Sequence, residues 1–559
     1  MKKSIKLYTV LLLILFITLT ACSPGGSGQQ TTSATTAATT ESTTVATTAP
    51  ETEPSSARIS LPAFSTQSPN IQDYDENDLT LKIEEMFNVD IEWVLAPSNS
   101  DAEVLEKQNI LFASGDYPAI FLVGNFSQND QLRYGQSGIL LPLNDLIEEY
   151  GNFIKEAFVI TPYLLKGVTA LDDNIYSMPG LEECYHCNYS QKLYMNVDWL
   201  SKLGLTMPTT TEELYTVLTA FKEDDPNGNG QNDEIPLAGA TNGWNSNPIN
   251  LLMCSFAYST SNTPLILTDG VVDIAANKPE WKDGLAYIKR LYSEGLIYSE
   301  SFTQDSETLR GLANNPDTVI LGAIDNGCCI PTVGEDGRWA QYEVVPPIQG
   351  PGGVQTVGYF GGNVGNGKFA ITDKATDEQK IVAIQICNYF YSQEGALDGM
   401  YGPKGIGWWD AEPGTKGIDG KDALYDAIEP YQREDKRSVC WDNDLKYTPA
   451  SLFNGRVQNQ DITQPDGFET YLAVMTDRQS PYTPKETFPN AIWYQPEELQ
   501  QIAQMKTDIL EYIKTNSAQF VVGALNLDTD WDAYVAGFSG LGLDQYITAS
   551  QKAYDDQYK

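Results

Sequence analysis

Histidine is almost absent from this chain: among 559 residues the only imidazole is His186. That excludes catalytic systems and metal centres that need several imidazoles. Positive charge is scarce as well. Thirty-five Lys and Arg face 75 Asp and Glu, a formal charge of −40, which argues against nucleic acid and anionic lipid head groups as partners. Charge of this kind governs solubility and long-range steering and leaves the substrate open. No nucleophile motif, nucleotide loop or metalloprotease helix is found. A secreted polysaccharide-degrading enzyme is the alternative to keep in view, because glycosidases need only two carboxylates. With 75 acids, however, any chosen pair is uninformative, and a non-enzymatic role is expected.

Cysteine is also sparse. Beyond Cys22 there are seven: Cys184, Cys187, Cys254, Cys328, Cys329, Cys387 and Cys440. Seven is odd, so one stays out of any intramolecular pairing. The motif Cys184-Tyr185-His186-Cys187 is open to three readings: a disulfide, free thiols, or a zinc site completed by Cys328 or Cys329. Cys387, on an apolar helix, reads as a small buried hydrophobe.

What the chain does have is an acidic loop, DDPNGNGQNDE at 224–234. With Asp225 as position one, Asn227 and Asn229 fall at three and five, a glycine at six, and Asp233 at nine. Gln231, at seven, offers its backbone carbonyl. Hard cations take six to eight oxygens, and the glycine permits the sharp turn that gathers them. The usual acid at position twelve is replaced by Pro236, so Glu234 is the available bidentate ligand. A structural Ca2+ is expected on Asp225, Asn227, Asn229, Gln231, Asp233 and Glu234. The alternative is a plain polar turn, since Asn, Asp and Gly dominate turns.

The front of the chain reads as an address. Lys2, Lys3 and Lys6 precede an apolar run over 7–19, too short for a comfortable membrane span and suited to a secretory signal. Leu19-Thr20-Ala21-Cys22 resembles a bacterial lipobox, which implies cleavage before Cys22 and lipid on its sulfur. Residues 22–57 are mostly Ser, Thr, Ala, Gly, Gln and Pro, a composition that reads as a flexible tether. The expected location is the extracytoplasmic face of a bacterial membrane, held by lipid alone.

About 500 residues remain, enough for two large lobes. Short apolar runs at 58–64, 89–94 and 119–123 alternate with helical spacing at 79–87 and 102–113, the pattern of an α/β fold with a mainly parallel sheet. Ligands of such sheets bind beyond the carboxyl ends of the strands, which singles out Ser65, Asn125 and Ser127. Trp281, Leu285, Ile288 and Leu291 fall on one face of a helix and read as core.

Several segments, in order, resemble bacterial extracellular solute-binding proteins, the capture subunits of ABC sugar importers. LFASGDYPAIF (111–121) is similar to the family's ASGDxPDIF, with Ala119 in place of Asp. ILLPLNDLI (139–147), DDNIYSMP (172–179), LYMNVDWLSKLGL (193–205) and PTTTEEL (208–214) continue the likeness. FVVG (520–523), WDAY (531–534) and LGLD (541–544) extend it to the far end. The acidic loop resembles the calcium loop of the larger oligosaccharide-binding members. The resemblance implies a type II periplasmic-binding fold, two α/β lobes with several crossovers and a ligand cleft. Its expected division is residues 1–21 leader, 22–57 tether, 58–177 with 319–397 as lobe one, and 178–318 with 398–559 as lobe two. It implies capture of a carbohydrate, expected to be an oligosaccharide, by a monomer that delivers it to ABC permease subunits. A peptide or other solute is the alternative.

Sugar pockets need flat apolar faces for the rings and planar polar groups for the hydroxyls. Trp408 and Trp409, adjacent in the glycine-rich YGPKGIGWWD (401–410), are the first candidates, and the family has an aromatic at a corresponding place near its cleft. Trp244, in NGWNSNP (242–248), is surrounded by amides. Asp325 and Asn326 follow an apolar strand pattern, Asn363 sits in GGNVG (361–365), and Trp441 is flanked by acids. Asn125 completes the set.

Overall fold

The computed structural model describes residues 57–68, 71–97, 100–329, 337–429, 433, 438–441 and 445–559. The expected leader, tether and lipidated Cys22 lie outside the described residues, as do Asp442 and Asp444 beside Trp441.

Two four-stranded sheets organise the body. In chain order their strands are β1 (Ile59–Thr66), β2 (Val89–Ala96), β3 (Ile120–Phe121), β4 (Lys192–Asn196), β5 (Ile235–Ala238), β6 (Leu321–Asn326), β7 (Tyr342–Val344) and β8 (Ala370–Ile371). The first sheet runs β8-β3-β1-β2 and the second β7-β4-β6-β5. Successive side chains of a strand face opposite sides, and both sides of each sheet are apolar. Leu61 and Ala63 face one core while Phe64 faces another; Leu193 and Met195 face a third while Tyr194 faces a fourth. The intervening helices are set by local chemistry. Asn77 caps the helix Asp78–Phe87 by accepting from Leu79 N and Thr80 N, and Thr210 with Glu213 forms a capping box on Thr211–Glu223. Trp281, Leu285, Ile288 and Leu291 are buried in the second sheet's core, as their spacing requires.

Two expectations shift. The first sheet is parallel apart from β8, but in the second β4 is antiparallel to β6, so the sheets are more mixed than the alternating pattern suggests. This orientation puts the start of β4 at the carboxyl end of β6, with Lys192 opposite Asn326. The return to the first sheet, expected near Val319, also moves. β6 pairs with β4 and β5 in the second sheet, and the chain rejoins the first only at β8. An apolar run identifies a buried strand but not the sheet it joins. Past residue 397 the chain has not simply left either: Cys440, Trp441, Leu445 and Tyr447 pack in the core of the first sheet.

The long helix Pro496–Val522 ties the halves together. Leu499, near its start, packs with Phe64 and Phe121 of the first sheet. Ile502, Ile509, Ile513 and Phe520 pack with the helix Pro279–Ser293 on the second.

Candidate functional site

A cavity of about 700 Å³ opens where β5 and β6 end. β5 stops at Ala238, and the chain folds back in a tight turn closed by Ala240 N to Ser246 O (2.6 Å) and Gly243 N to Ala240 O (2.7 Å). Gly243 is needed there, because a Cβ would lie 2.4 Å from Ser246 Oγ. The turn presents Trp244, whose side of the cavity is open to solvent: the residue is 56% exposed. Its ring is backed by Gly327, immediately past the end of β6. A Cβ on Gly327 would sit 2.3 Å from Trp244 Cζ3 and 2.7 Å from Ser190 O, so glycine lets the indole lie against the backbone. Asn247 then caps the helix Pro248–Met253 by accepting from Ile249 N.

Around this ring the walls are hydroxyls and amides. Ser190, at the start of β4, accepts from Asn245 Nδ2 at 2.7 Å, and Ser261 Oγ donates to Asn245 Oδ1 at 3.2 Å. Tyr258 donates to Tyr359 O at 3.2 Å. Thr260, Phe360 and Asn363 face the same space. The long helix Pro496–Val522 contributes Glu511 and Lys514, the only charged residues of the wall among the described residues, one of each sign. Lys514 Nζ reaches Asn242 Oδ1 at 3.4 Å.

A second cavity of about 320 Å³ lies against the first sheet, lined by Asn125, Glu182, Asn366, Lys368 and Lys446 among others. Gln108 holds the Asn125 backbone at both ends, accepting from its N and donating to its O, and Asn366 Nδ2 donates to Asn125 Oδ1 at 2.6 Å. One segment serves both cavities: Phe360 and Asn363 line the first, Gly365 and Asn366 the second.

The seven sequence candidates thus divide. Trp244 and Asn363 come together in the large cavity and Asn125 stands in the smaller one. Trp408 does not reach either: it is buried against Tyr401, Tyr425 and Leu452, with Nε1 donating to Asp398 Oδ1 at 2.8 Å. Trp409, next along the hairpin, points the opposite way into solvent. Trp441 is a core residue, fully buried, with Nε1 donating to Thr80 Oγ1 at 2.9 Å and its ring against Trp93 and Phe390. Residues that the reading passed over are Ser190, Asn245, Tyr258, Thr260, Phe360 and Lys514. The hydroxyl-rich run STSNT at 259–263 was the signal available for some of them.

Asp325 is fully buried, and neither carboxyl oxygen has a hydrogen-bond partner among the described residues. Its side chain faces the core with Leu193, its partner across the strands. Burial pushes its carboxyl well above the usual carboxylate range. A carboxyl raised in the folded state holds its proton longer than in the unfolded chain. Stability is then full below the unfolded pKa of about 3.9 and falls as pH rises from there through the folded pKa, by about 1.4 kcal/mol per unit. Asp325→Asn is expected to raise the melting temperature at pH 7 and to flatten that decline. Thermal melts of both proteins from pH 4 to 8 check it.

In the acidic loop Asp225 adopts a left-handed backbone (φ 47°) and its carboxylate accepts from Gly228 N, Asn229 N and Gly230 N at 2.9–3.1 Å. Asn227 and Asn229 turn their amide nitrogens to Asp233, at 2.9 Å and 3.0 Å. Glu234 Oε1 is buried without a hydrogen-bond partner. Its carboxyl is pushed up by burial first, and then by the charges of Asp225 and Asp233. The three acids and two amides are the oxygen-bearing groups a hard cation takes, and one acid has an orphaned oxygen, but the three carboxylates do not converge to within 4.8 Å of one another here. The two amide N–H groups now supply the positive potential that the ion would supply, and rotating each amide by half a turn would direct its oxygen inward.

Cys184 and Cys187 form a disulfide, which closes the three-way choice for this motif in the oxidised chain. Cys387 is buried in the first core, as its helix pattern implied.

The family described as "Bacterial extracellular solute-binding protein" matches residues 79–407. The chain belongs to this family. It is 28% identical over 525 residues, 89% of this chain and 90% of the relative, to the fructooligosaccharide ABC transporter substrate-binding protein FusA of Streptococcus pneumoniae. The solved structure of FusA in complex with kestose aligns at TM-score 0.69 and 25% identity, covering 89% of this chain and 99% of that one. An EF-hand mutant of FusA with fructo-nystose aligns at 0.68 with the same identity and coverage. A human-milk-oligosaccharide-binding ABC-transporter-associated protein of Bifidobacterium longum infantis aligns at 0.73, 21% identical, over 89% of this chain and 99% of that one, a likeness of fold. The fold is accordingly the type II periplasmic-binding architecture, and the relatives are substrate-binding proteins of ABC transporters rather than enzymes.

Proposed function

We propose that this protein captures a neutral oligosaccharide and passes it to the permease of an ABC importer. The observation that carries the reading is the wall of the large cavity. An exposed indole backed by glycine offers a flat face to a sugar ring, and hydroxyls and amides surround it. Glu511 and Lys514 cancel in charge. The volume falls within the range of about 300–1,000 Å³ of small-molecule sites. Similarity to FusA, named for fructooligosaccharides, over 89% of this chain and 90% of that one supports the carbohydrate class. A uronate or an acidic peptide would need uncompensated cations, which this wall does not provide.

In this reading the two sheets are the cores of two lobes that close on the sugar, the second cavity being the face of the first lobe. Asn125 and Asn366 take hydroxyls there. Cys22 carries the lipid anchor on the extracytoplasmic side, the receptor acts as a monomer, and calcium occupies Asp225, Asn227, Asn229, Gln231, Asp233 and Glu234 as a structural ion. The FusA EF-hand mutant supports the assignment of a cation loop.

A thermal-shift panel tests the ligand class. Neutral tri- and tetrasaccharides, matched oligouronates and short peptides are compared at fixed calcium. A rise confined to a neutral oligosaccharide is expected; a rise only with peptides or uronates would discard the class while keeping the fold.

Calcium is expected to stabilise. At a hundred times its dissociation constant it adds about 2.7 kcal/mol, so a chelator lowers the melting temperature by a few degrees without abolishing sugar binding. Because the Glu234 carboxyl is raised when no ion is present, the chelated protein loses stability as pH climbs above the unfolded value of about 4.3. Bound calcium removes that decline. Melting that ignores both chelator and pH would contradict the assignment.

A further inference from the structure

The only cluster of three metal-ligating side chains whose ligand atoms lie within 4.8 Å of one another, among the described residues, is Cys184, His186 and Cys187. It lies apart from the acidic loop, on the segment that runs from Glu182 in the second cavity to Ser190 in the first. Three details distinguish it from a merely structural disulfide. The Cys187 amide donates to Cys184 Sγ at 3.2 Å, a bond that would stabilise a thiolate. His186 Nε2 lies 3.0 Å from Glu469 Oε2, while Nδ1 faces Cys187 Sγ at 3.9 Å. A carboxylate on the far nitrogen of the ring is how metal-bound histidines are oriented. The loop itself is pinned, because Lys192 Nζ donates to the carbonyls of His186 and Tyr189.

We propose that reduction of the Cys184–Cys187 disulfide turns this corner into a zinc site, with both thiolates and His186 Nδ1 as ligands and Glu469 as the residue that positions the imidazole. The chemistry balances with a phosphine reductant. The S–S bond takes two electrons and two protons and becomes two thiols, and the phosphine gains the oxygen of one water. Zn2+ then displaces the two thiol protons. Zinc–sulfur distances of about 2.3 Å in a tetrahedral site require the sulfurs to separate to about 3.8 Å. The fourth position is left to water. Softness separates this site from the acidic loop, since thiolate and imidazole select zinc where carboxylates select calcium. A reduced, zinc-loaded chain would be clamped on the segment linking the two cavities, whereas the oxidised chain is held there by the disulfide.

The test uses Co2+ as a spectroscopic stand-in for zinc, with calcium saturating, on chain reduced by a phosphine under anaerobic conditions. One cobalt per chain with thiolate charge-transfer absorption is expected after reduction, none before it, and zinc should displace the cobalt. Glu469→Gln should weaken cobalt by about 10–100-fold without removing the absorption, and His186→Ala should weaken it further. No charge-transfer absorption in the reduced wild type would overturn the proposal. So would the same absorption in Cys184→Ser, which would assign the metal to other cysteines. The oxidised wild type is the control that needs no mutation, so a variant that fails to fold leaves the test intact.

Discussion

Replacing Trp244 with alanine is expected to weaken oligosaccharide binding by about 30-fold or more, the loss of about 2 kcal/mol typical of an aromatic anchor at the centre of a recognition site. The effect should appear in affinity and not in stability, because the indole is more than half exposed before ligand arrives. Gly327→Val should do similar damage by a different route. Its Cβ would meet Trp244 Cζ3 at 2.3 Å and Ser190 O at 2.7 Å, so the ring is displaced and the cavity wall with it. Trp409→Ala removes an exposed indole from a hairpin that lines neither cavity, and its affinity should stay within about twofold of wild type. Calorimetric titration of the three variants separates these outcomes. Unchanged binding in Trp244→Ala would move the site elsewhere.

Trp441→Ala should instead cost about 3–5 kcal/mol of stability, the usual penalty for deleting a buried aromatic. The ring fills space between Trp93 and Phe390, and its Nε1 satisfies Thr80 Oγ1, which would be left buried without that donor. Denaturant melts at fixed calcium measure the loss. Trp441→Ala protein that is still folded at low temperature should bind sugar with near-normal affinity. A large loss of affinity with little loss of stability would restore Trp441 to the site.

These two tryptophans show where sequence reasoning reached and where it stopped. Trp244 was singled out because amides surround it in the sequence, and the structure puts it on the wall of the large cavity. Trp441 was equally flanked by polar residues, yet its contacts come from Thr80, Trp93 and Phe390, which only the tertiary fold brings together. Trp408 and Trp409 form an adjacent pair that cannot share one face, and the hairpin places one inside and one out; the local pattern could not show that the hairpin stands away from the cavities. Asp325 was expected just past a strand and lies within the last two residues of β6, and the face of the strand it occupies depends on register with Leu193. The acidic loop stands out because its oxygen-bearing side chains recur at alternate positions within one segment. The cavity wall does not, because Ser190, Asn245, Phe360 and Lys514 come from four separate segments of the chain and meet only through the antiparallel entry of β4 and the long helix Pro496–Val522.

The sheets carry the same lesson. Apolar runs located β1, β2, β3 and β6 closely, but membership in a sheet is decided by pairing. The segment 319–324 therefore joined the second sheet rather than the first, and the return to the first sheet moved to β8.

The most direct measurement is a calorimetric titration of the wild-type body, from residue 57 onward, with a panel of neutral trisaccharides, followed by chromatography of the recovered sugar. Saturable binding of one sugar per chain, recovered intact, with no binding of a matched trimeric uronate, is the predicted result. Recovery of cleaved sugar, or preference for the uronate, would contradict the account of a neutral-oligosaccharide receptor.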